Sequence, residues 1–342
     1  MASIIREQSV KYRQLGQTDL NVSEVGFGAW TVSTNWWGKI TEQEGINLLV
    51  RAYDLGINFI DTADTYSNGY GEEIVAKALK DQRHDIVIAT KFGYDIYSPF
   101  ERIGHEERPQ KWTPEFIKYA CEQSLKRLET DYIDLYQLHN PRIDTIEKDE
   151  VFEVLNELVK EGKIRHYGVA LGPDIGWFEE GEASMRERHV PSIQIIYSIM
   201  EQQPARDFFP IIEEQKTGVL SRVPHASGLL DGTYTKDTVF DESDHRSHRR
   251  RDWLTTGLKK LATLDFLIEN LDATIGQTAI KFGLSGTGVA SILPNFTNLP
   301  QLEELVETSD AEDIPEDFLA RTHQLFDENF GLPVEEETPV GD

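Results

Sequence analysis

The sequence predicts a single (β/α)8 TIM barrel, a fold of the α/β class. Short apolar segments rich in β-branched residues alternate with longer amphipathic segments along the 342 residues. The short segments are apolar on both faces, which is typical of parallel strands covered on both sides. No Gly/Ser-rich linker interrupts the alternation, so one barrel domain over residues 1–342, with its core at about 10–330, is favoured over two lobes.

Eight strands are predicted, separated by helical segments in the manner of a barrel. Their ranges are 25–28, 58–61, 86–91, 132–139, 164–170, 192–197, 217–223 and 289–293. A doubly wound parallel sheet is the alternative. It is disfavoured because residues 26–31, around the end of the first strand, lack the Gly-x-Gly-x-x-Gly spacing of a dinucleotide-binding turn.

Helix-start signals stand between the predicted strands. Thr41 precedes an amphipathic segment and Glu44 follows three residues later, which is the pattern of a capping box. Thr113 and Pro114 open a second helix, because proline is favoured at the first helical position. Further helices are predicted at about 151–161, 206–215 and 299–308.

Three segments fall outside the eight strand–helix units. Residues 12–23 predict a β-hairpin that closes the floor of the barrel. Residues 231–252 form a long polar insertion, predicted as a loop, after the seventh strand. Residues 331–342 are predicted to be a solvated acidic tail.

The chain is strongly acidic, with 60 Asp and Glu against 34 Lys and Arg and a formal net charge of −26. Such a surface repels phosphate backbones and anionic lipids, so we expect neither nucleic acid nor a membrane as a partner. The sequence has no apolar run long enough to cross a bilayer and no signal-peptide pattern, and its one cysteine, Cys121, excludes an intramolecular disulfide. We therefore expect a cytoplasmic protein, of undetermined oligomeric state.

Polar side chains follow three neighbouring predicted strands at the ends where barrel active sites form. Asp61 ends the second strand, and Tyr66 follows it. Lys91 ends the third strand and His139 the fourth. Each alone has an ordinary structural explanation, as a solvated charge, a satisfied core histidine or a packed aromatic ring. Four such groups at adjacent strand ends indicate a site.

These groups suit proton transfer to a carbonyl oxygen. A phenol ordinarily keeps its proton until about pH 10, and a neighbouring ammonium favours the phenolate. Tyr66 is therefore the candidate general acid, and Lys91 is the cation that assists it. Asp61 would keep the lysine charged, while His139 would donate a second hydrogen bond to the substrate oxygen.

The same stretches resemble the aldo-keto reductase family. The resemblance lies in Phe-Ile-Asp-Thr-Ala at 59–63 with Tyr66, in Ala-Thr-Lys at 89–91 and in Leu-His-Asn-Pro at 138–141. Supporting segments extend it over roughly residues 10–330. It implies a single barrel that reduces aldehydes or ketones, as small-molecule carbonyl substrates, with a hydride from NADPH. NAD is the alternative nucleotide, and no metal is implied.

The resemblance also implies a dinucleotide site. Gln194 matches the residue that holds the nicotinamide carboxamide, but residues 170–171, Ala-Leu, replace the usual Ser-Asn pair. The segment after the eighth strand keeps the register of a cofactor motif without a Lys or Arg, so discrimination between NADP and NAD should be weaker. A helix N-terminus near Leu299 would instead offer backbone N–H groups to a phosphate. The expected cofactor contacts are Gln194, Arg222, Pro294, Asn295, Thr297, Gln301 and Glu304.

Aromatic side chains are expected to form the substrate wall, with Trp30, Trp37 and Phe92 as the candidates. Packing of a buried lid is the alternative interpretation of the Trp-Trp pair at 36–37. The basic cluster at residues 244–251 of the insertion is either a solvated loop or a strap across the cofactor pyrophosphate, as the loop after the seventh strand is in the family it resembles.

Two other functions stay open. The first is a nicotinamide-dinucleotide-binding redox sensor with slow turnover, which the Ala-Leu replacement at 170–171 favours. The second is a lyase or isomerase that uses Lys91 as a Schiff-base nucleophile. Turnover of 4-nitrobenzaldehyde separates a reductase from a sensor, and borohydride trapping would reveal a Schiff base.

Overall fold

Eight parallel strands form a nearly closed barrel within the part of the chain that the structure describes. This computed structural model describes residues 10–101, 106–172, 177–242, 244–249 and 251–333. An antiparallel hairpin, β1 (Tyr12–Gln14) and β2 (Asn21–Ser23), comes first. The barrel strands, paired in this order, are β3 (Phe27–Gly28), β4 (Phe59–Asp61), β5 (Val87–Phe92), β6 (Ile133–His139), β7 (Ile164–Ala170), β8 (Ser192–Ile196), β9 (Gly218–Arg222) and β10 (Val289–Leu293). A parallel bridge between Val25 and Ile292 joins the two edges.

The connecting segments are mostly helical. The α-helices are α1 (Trp30–Ser33), α2 (Glu42–Asp54), α3 (Tyr70–Leu79), α4 (Pro114–Arg127), α5 (Ile143–Ile146), α6 (Asp149–Lys160), α7 (Phe178–Arg186), α8 (Ala205–Gln215), α9 (Arg251–Ala262), α10 (Asp265–Asn270), α11 (Ile275–Leu284), α12 (Leu299–Val306) and α13 (Glu316–Asp327). Short 3-10 helices lie at Lys80–Gln82, Ala226–Gly228, His245–His248, Glu307–Asp310 and Asn329–Gly331. The predicted caps are present, because Thr41 and Glu44 form a reciprocal capping box and Thr113 caps α4.

The predicted barrel and hairpin are confirmed, and the doubly wound sheet is wrong. Each predicted strand is present with its ends within two residues of the observed ones. The predicted loop at 231–252 contains the 3-10 helix His245–His248, and α9 begins at its end, at Arg251. Of the predicted acidic tail, residues 334–342 lie outside the described residues.

The β1–β2 hairpin closes the bottom of the barrel. Leu15, Leu20 and Val22 are buried in one apolar cluster with side chains from β4, β5, β6, β9 and β10. Gly16 has a φ of +54°, and a Cβ there would lie 2.4 Å from the Gly218 backbone nitrogen. Glycine is therefore required at this position by both conformation and space. The floor is sealed by the hairpin, which leaves the carboxyl ends of the strands for a site.

Gly16→Ala is expected to destabilise the protein by about 1–3 kcal/mol more than Gly162→Ala, because overpacking adds to backbone strain. Gly162 is a matched control, since its φ is +73° but nothing lies within 4 Å of the position that a Cβ would take there. Urea unfolding followed by circular dichroism measures both losses. Equal losses would contradict the close packing of the hairpin on the floor.

Candidate active site

Consecutive strands deliver the predicted catalytic side chains to one end of the barrel. Asp61 ends β4, Lys91 lies near the end of β5, and His139 ends β6. Tyr66 stands in the turn between β4 and α3. Because the strands are parallel and neighbouring, their carboxyl ends meet at the same rim. The structure thus brings together all four residues that the sequence analysis selected.

A buried lysine is at the centre of this group. The Lys91 ammonium donates to Asp61 Oδ1 at 2.6 Å, to the Thr62 carbonyl at 2.8 Å and to the Tyr66 hydroxyl oxygen at 3.2 Å. Its side chain is 1% exposed. Burial alone would lower the pKa of Lys91, but the Asp61 carboxylate and the Tyr66 phenol raise it above the ordinary value. Each of the three ammonium protons therefore has an acceptor, and one of these acceptors is the phenol oxygen.

The carboxylate that holds the lysine is itself held by two amides. Asp61 Oδ2 accepts hydrogen bonds from Gln194 Nε2 at 2.8 Å and from Gln137 Nε2 at 3.1 Å. The structure therefore places Gln194 inside the barrel, with its amide nitrogen on Asp61. Gln137 is an additional site residue that the sequence analysis missed. Its spacing of two residues from His139 on β6, which puts both on one face, was the available signal.

His139 lies beside the phenol and is half-buried at the rim. Its ring packs edge-on against Tyr66 and Tyr94, with centroid distances of 6.4 Å and 5.2 Å, and Nδ1 is 3.4 Å from Thr65 Oγ1. Burial, with the charges of Lys91 and Arg222, holds the pKa of His139 well below its ordinary value. A neutral imidazole retains one N–H, which it can donate to an oxygen.

We expect His139 to stay neutral at pH 6.5 and above, and to take up its proton only at a lower pH than an exposed histidine does. The unfolded chain takes up a proton at this histidine below about pH 6.5 while the folded chain does not, so the stability it contributes is lost as the pH falls through that value. NMR signals of the ring, assigned by their absence from His139→Asn, report its charge. A signal that titrates near pH 6.5 would contradict the assignment of a neutral ring.

Tryptophan side chains and the insertion cover one side of this rim. Trp30 packs against Trp36 and Trp37 at centroid distances of 5.8 Å and 6.2 Å. His245 of the insertion lies 5.0 Å from Trp37, and its backbone N–H and Nδ1 both contact the Trp36 carbonyl, at 3.0 Å and 2.8 Å. The insertion is therefore packed, through His245, on the segment that carries Trp36 and Trp37, which is called the tryptophan loop below.

Phe92 does not belong to this wall, contrary to the prediction. It stacks on Tyr136 at 4.2 Å and meets Trp112 edge-on at 5.7 Å, fully buried in the core between barrel and helices. Neighbouring residues of a strand point to opposite faces. Since Lys91 points into the barrel, Phe92 must point out of it.

A groove of about 460 Å³ lies next to the tryptophan loop. Four residues predicted to contact the cofactor line it: Asn295, Thr297, Gln301 and Glu304. Trp37, predicted in the substrate wall, lines the groove as well, together with Asp231 and Arg246. Pro294 is buried, and its carbonyl oxygen lies 3.7 Å from the position a Cβ would take on Gly28.

Arg222 faces the catalytic group from the end of β9. Its Nη2 donates to the Leu171 carbonyl at 2.7 Å, so the Ala-Leu segment at 170–171 contributes a backbone acceptor. Burial lowers the pKa of Arg222, while the nearby Tyr66, Asp61 and Glu201 partly offset this effect.

Side chains of the segment itself accept from two of the backbone N–H groups at the amino end of α12, where the sequence analysis expected N–H groups for a phosphate. Asn298 Oδ1 accepts from the Gln301 backbone N–H at 2.9 Å, and Gln301 Oε1 accepts from the Thr297 N–H at 3.0 Å. Pro300, within the first turn, has no N–H. Side chains of the segment itself therefore cap this helix.

The basic cluster of the insertion is engaged within the protein. Arg246 pairs with Asp244 at 2.5 Å, Arg249 donates to Ser227 Oγ at 3.0 Å, and Arg251 donates to the Thr238 carbonyl at 2.7 Å. Arg250 lies outside the described residues. In the described ranges, no three His, Cys, Asp or Glu side chains gather as metal ligands. Nor does any helix there have the length and apolarity to cross a membrane.

Comparisons with known proteins agree over almost the whole chain. The model of the Aldo/keto reductase family matches residues 24–326. The uncharacterized oxidoreductase YqkF of Bacillus subtilis is 32% identical over 314 residues, which are 90% of this chain and 94% of that protein. The NADH-specific methylglyoxal reductase of Escherichia coli is 31% identical over 303 residues, covering 85% of this chain and 91% of the relative.

A solved structure gives the same result. The aldo-keto reductase AKR11C1 from Bacillus halodurans, in its holo form, superimposes with a TM-score of 0.74 and is 33% identical. The likeness covers 93% of this chain and 96% of that one. With the barrel, the four side chains at its rim and these matches in agreement, the chain belongs to the aldo/keto reductase family.

Proposed function

We propose that this protein reduces small-molecule aldehydes or ketones to alcohols with NADH or NADPH, and that Tyr66 is the proton donor. One observation carries the proposal. The Lys91 ammonium, held by Asp61 at 2.6 Å, donates to the Tyr66 hydroxyl oxygen at 3.2 Å in a buried setting at the barrel rim. Family membership supports oxidoreductase chemistry in general, and this contact supports the assignment of the acid.

The residues of the groove fit a nicotinamide dinucleotide. The groove has the size of a small-molecule site, with amide, hydroxyl and carboxylate groups beside an indole. Trp37 Nε1 is buried without a hydrogen-bond partner among the described residues, so a ligand oxygen would satisfy it. When bound, the cofactor supplies a hydride. The residues that would hold it are Asn295, Thr297, Gln301 and Glu304 in the groove and Arg222 beside the catalytic group.

Side chains of the protein would supply the proton that the carbonyl oxygen of the substrate receives. Because Lys91 donates into the phenol oxygen, the Tyr66 O–H proton is available for transfer to the carbonyl oxygen of the substrate. The ammonium then stabilises the phenolate that is left, and Asp61 keeps the ammonium charged and in place. The neutral imidazole of His139 would donate its N–H to the same substrate oxygen.

Lys91 is poorly suited to the Schiff-base alternative. A nucleophilic amine must lose its proton, whereas Lys91 is charged and has hydrogen bonds to three acceptors. Turnover of 4-nitrobenzaldehyde with NADH and with NADPH, followed by the loss of reduced-nicotinamide absorbance, tests the proposal. Multiple turnovers support a reductase. Tight dinucleotide binding without turnover would contradict it and favour the redox-sensor alternative.

A further inference from the structure

The turn that carries Tyr66 is packed tightly against the first turn of α3. The Gly71 backbone N–H donates to the Tyr66 carbonyl at 3.0 Å. A Cβ on Gly71 would lie 2.8 Å from the Tyr66 Cβ and 2.8 Å from Thr62 Oγ1, so this close approach requires glycine. Because the contact leaves no free space, a shift of the first turn of α3 would move the Tyr66 side chain as well.

A buried hydrogen bond joins the first turn of α3 to the strand of the catalytic lysine. Thr90 Oγ1 donates to Glu72 Oε1 at 2.6 Å, and both side chains are fully buried. Glu72 lies in the first turn of α3, and Thr90 precedes Lys91 on β5. Side chains alternate along a strand, so Thr90 points out of the barrel where Lys91 points in. The hydrogen bond therefore links, behind the barrel wall, the two segments whose side chains meet inside it.

The second oxygen of Glu72 is held by a cation. Arg127 of α4 donates from Nε to Glu72 Oε2 at 2.6 Å and from Nη2 to Ser124 Oγ at 3.3 Å. Its aliphatic stem lies against the Tyr66 turn, because a Cβ on Gly69 would be 2.5 Å from Arg127 Cδ. With a charged donor on one oxygen and a hydroxyl on the other, the buried carboxylate has a fixed orientation.

We propose that Glu72 and Thr90 are positioning residues for the proton donor, and that their hydrogen bond sets the separation between the Tyr66 hydroxyl and the Lys91 ammonium. The inference rests on the proposed function, because it concerns the proton that Tyr66 transfers. The Lys91–Tyr66 contact of 3.2 Å is at the long end of the range for such hydrogen bonds. A small displacement of the Tyr66 turn would therefore break it.

Thr90→Val tests this hydrogen bond, because it removes the hydroxyl and keeps the branched shape of the side chain. The single-turnover rate constant with 4-nitrobenzaldehyde is expected to fall about tenfold, since the donor is no longer held in its reactive position. Dissociation constants for the nicotinamide dinucleotides should change by less than about twofold. Thr90→Ser keeps the hydroxyl and should restore the rate constant to within about threefold of the wild-type value.

Thr322→Val is the matched control for a lost buried hydroxyl. Thr322 of α13 is fully buried as well, and its Oγ1 donates to the Phe318 carbonyl at 2.8 Å. This variant should lose stability in urea unfolding and keep the wild-type rate constant. An equal loss of rate in Thr322→Val and Thr90→Val would mean that the rate follows general stability, and it would overturn the inference.

Glu72→Gln separates the hydrogen bond from the ion pair. An amide can pair with the Thr90 hydroxyl from either end, because a hydroxyl both donates and accepts, whereas the contact with Arg127 loses its charge. We expect this variant to lose more stability than Thr90→Val in urea unfolding but less of the single-turnover rate. A larger loss of rate than in Thr90→Val would contradict the role of Thr90.

The Tyr66→Phe background distinguishes positioning of the donor from loosening of the whole site. With the donor absent, Thr90→Val should lower the residual single-turnover rate by less than about twofold. A loss of the same factor in both backgrounds, or a loss below about twofold in the Tyr66 protein, would overturn the inference while leaving carbonyl reduction intact. An absence of turnover in wild type would instead remove the proposed function, and this inference with it.

Discussion

Tyr66→Phe is expected to lower kcat for 4-nitrobenzaldehyde by about 10²–10⁴-fold, the usual contribution of a general acid. The substitution removes only the hydroxyl that receives the Lys91 hydrogen bond at 3.2 Å. Lys91 keeps its hydrogen bonds to Asp61 and to the Thr62 carbonyl, so the Lys91–Asp61 ion pair should stay in place. Dissociation constants for the nicotinamide dinucleotides should therefore change by less than about twofold, a difference below about 0.5 kcal/mol. Stopped-flow assays and fluorescence titrations separate the two effects.

Tyr94→Phe is the matched control for this variant. Tyr94 is a second phenol beside His139, but its hydroxyl contacts Glu107 and Asn140 and not the lysine. We expect it to retain most of the activity. Full activity in Tyr66→Phe, or an equal loss in Tyr94→Phe, would mean that the proton comes from another group.

Lys91→Met is expected to remove both activity and stability. The Asp61 carboxylate would lose its only described cationic partner, at 2.6 Å, while two glutamine amides remain. Breaking one side of a buried ion pair costs about 3–5 kcal/mol. The rate should also fall by at least about 100-fold, because the cation in hydrogen-bond contact with the phenol oxygen is lost. Urea unfolding and single-turnover kinetics measure the two losses.

A double variant distinguishes charge burial from catalysis. Asp61→Asn combined with Lys91→Met removes both charges, so it should recover much of the stability but none of the rate. Lys281→Met is a control, since this buried lysine of α11 pairs with Asp313 and has no contact with the four catalytic candidates among the described residues. Recovery of the rate in the double variant would contradict the role assigned to the ammonium.

Most of the barrel could be predicted because each strand is a short apolar segment that can be recognised from its own residues. The segments 164–170 and 289–293 were predicted as strands, and β7 and β10 have the same ends as predicted. The first strand is shorter than predicted, because Val25 makes only a bridge to Ile292 before regular pairing begins at Phe27. The packing of the insertion on Trp36 could not be predicted, since it depends on contacts between segments far apart in the chain.

The sequence predicted those residues of the candidate site that lie at or next to the ends of strands. Lys91 could be placed at the rim because it lies near the end of a parallel strand. Phe92 is the next residue of β5, so the alternation of faces along a strand already predicts that it points away from the barrel interior. The capping of α12 was also available from the sequence, since Asn298 precedes a helix with proline in its first turn. The amide contacts of Asp61 with Gln137 and Gln194 depend on the closed barrel, so sequence patterns alone do not reveal them.

A crystal structure of the protein with a nicotinamide dinucleotide and an unreactive carbonyl analogue is the most direct test of the proposed proton donor. We predict that the carbonyl oxygen lies within about 2.6–3.2 Å of the Tyr66 hydroxyl and accepts from the His139 ring. Lys91 should remain on the far side of the phenol oxygen. A carbonyl oxygen bound elsewhere in the barrel mouth, with the Tyr66 hydroxyl turned away from it, would contradict the assignment of Tyr66 as the proton donor.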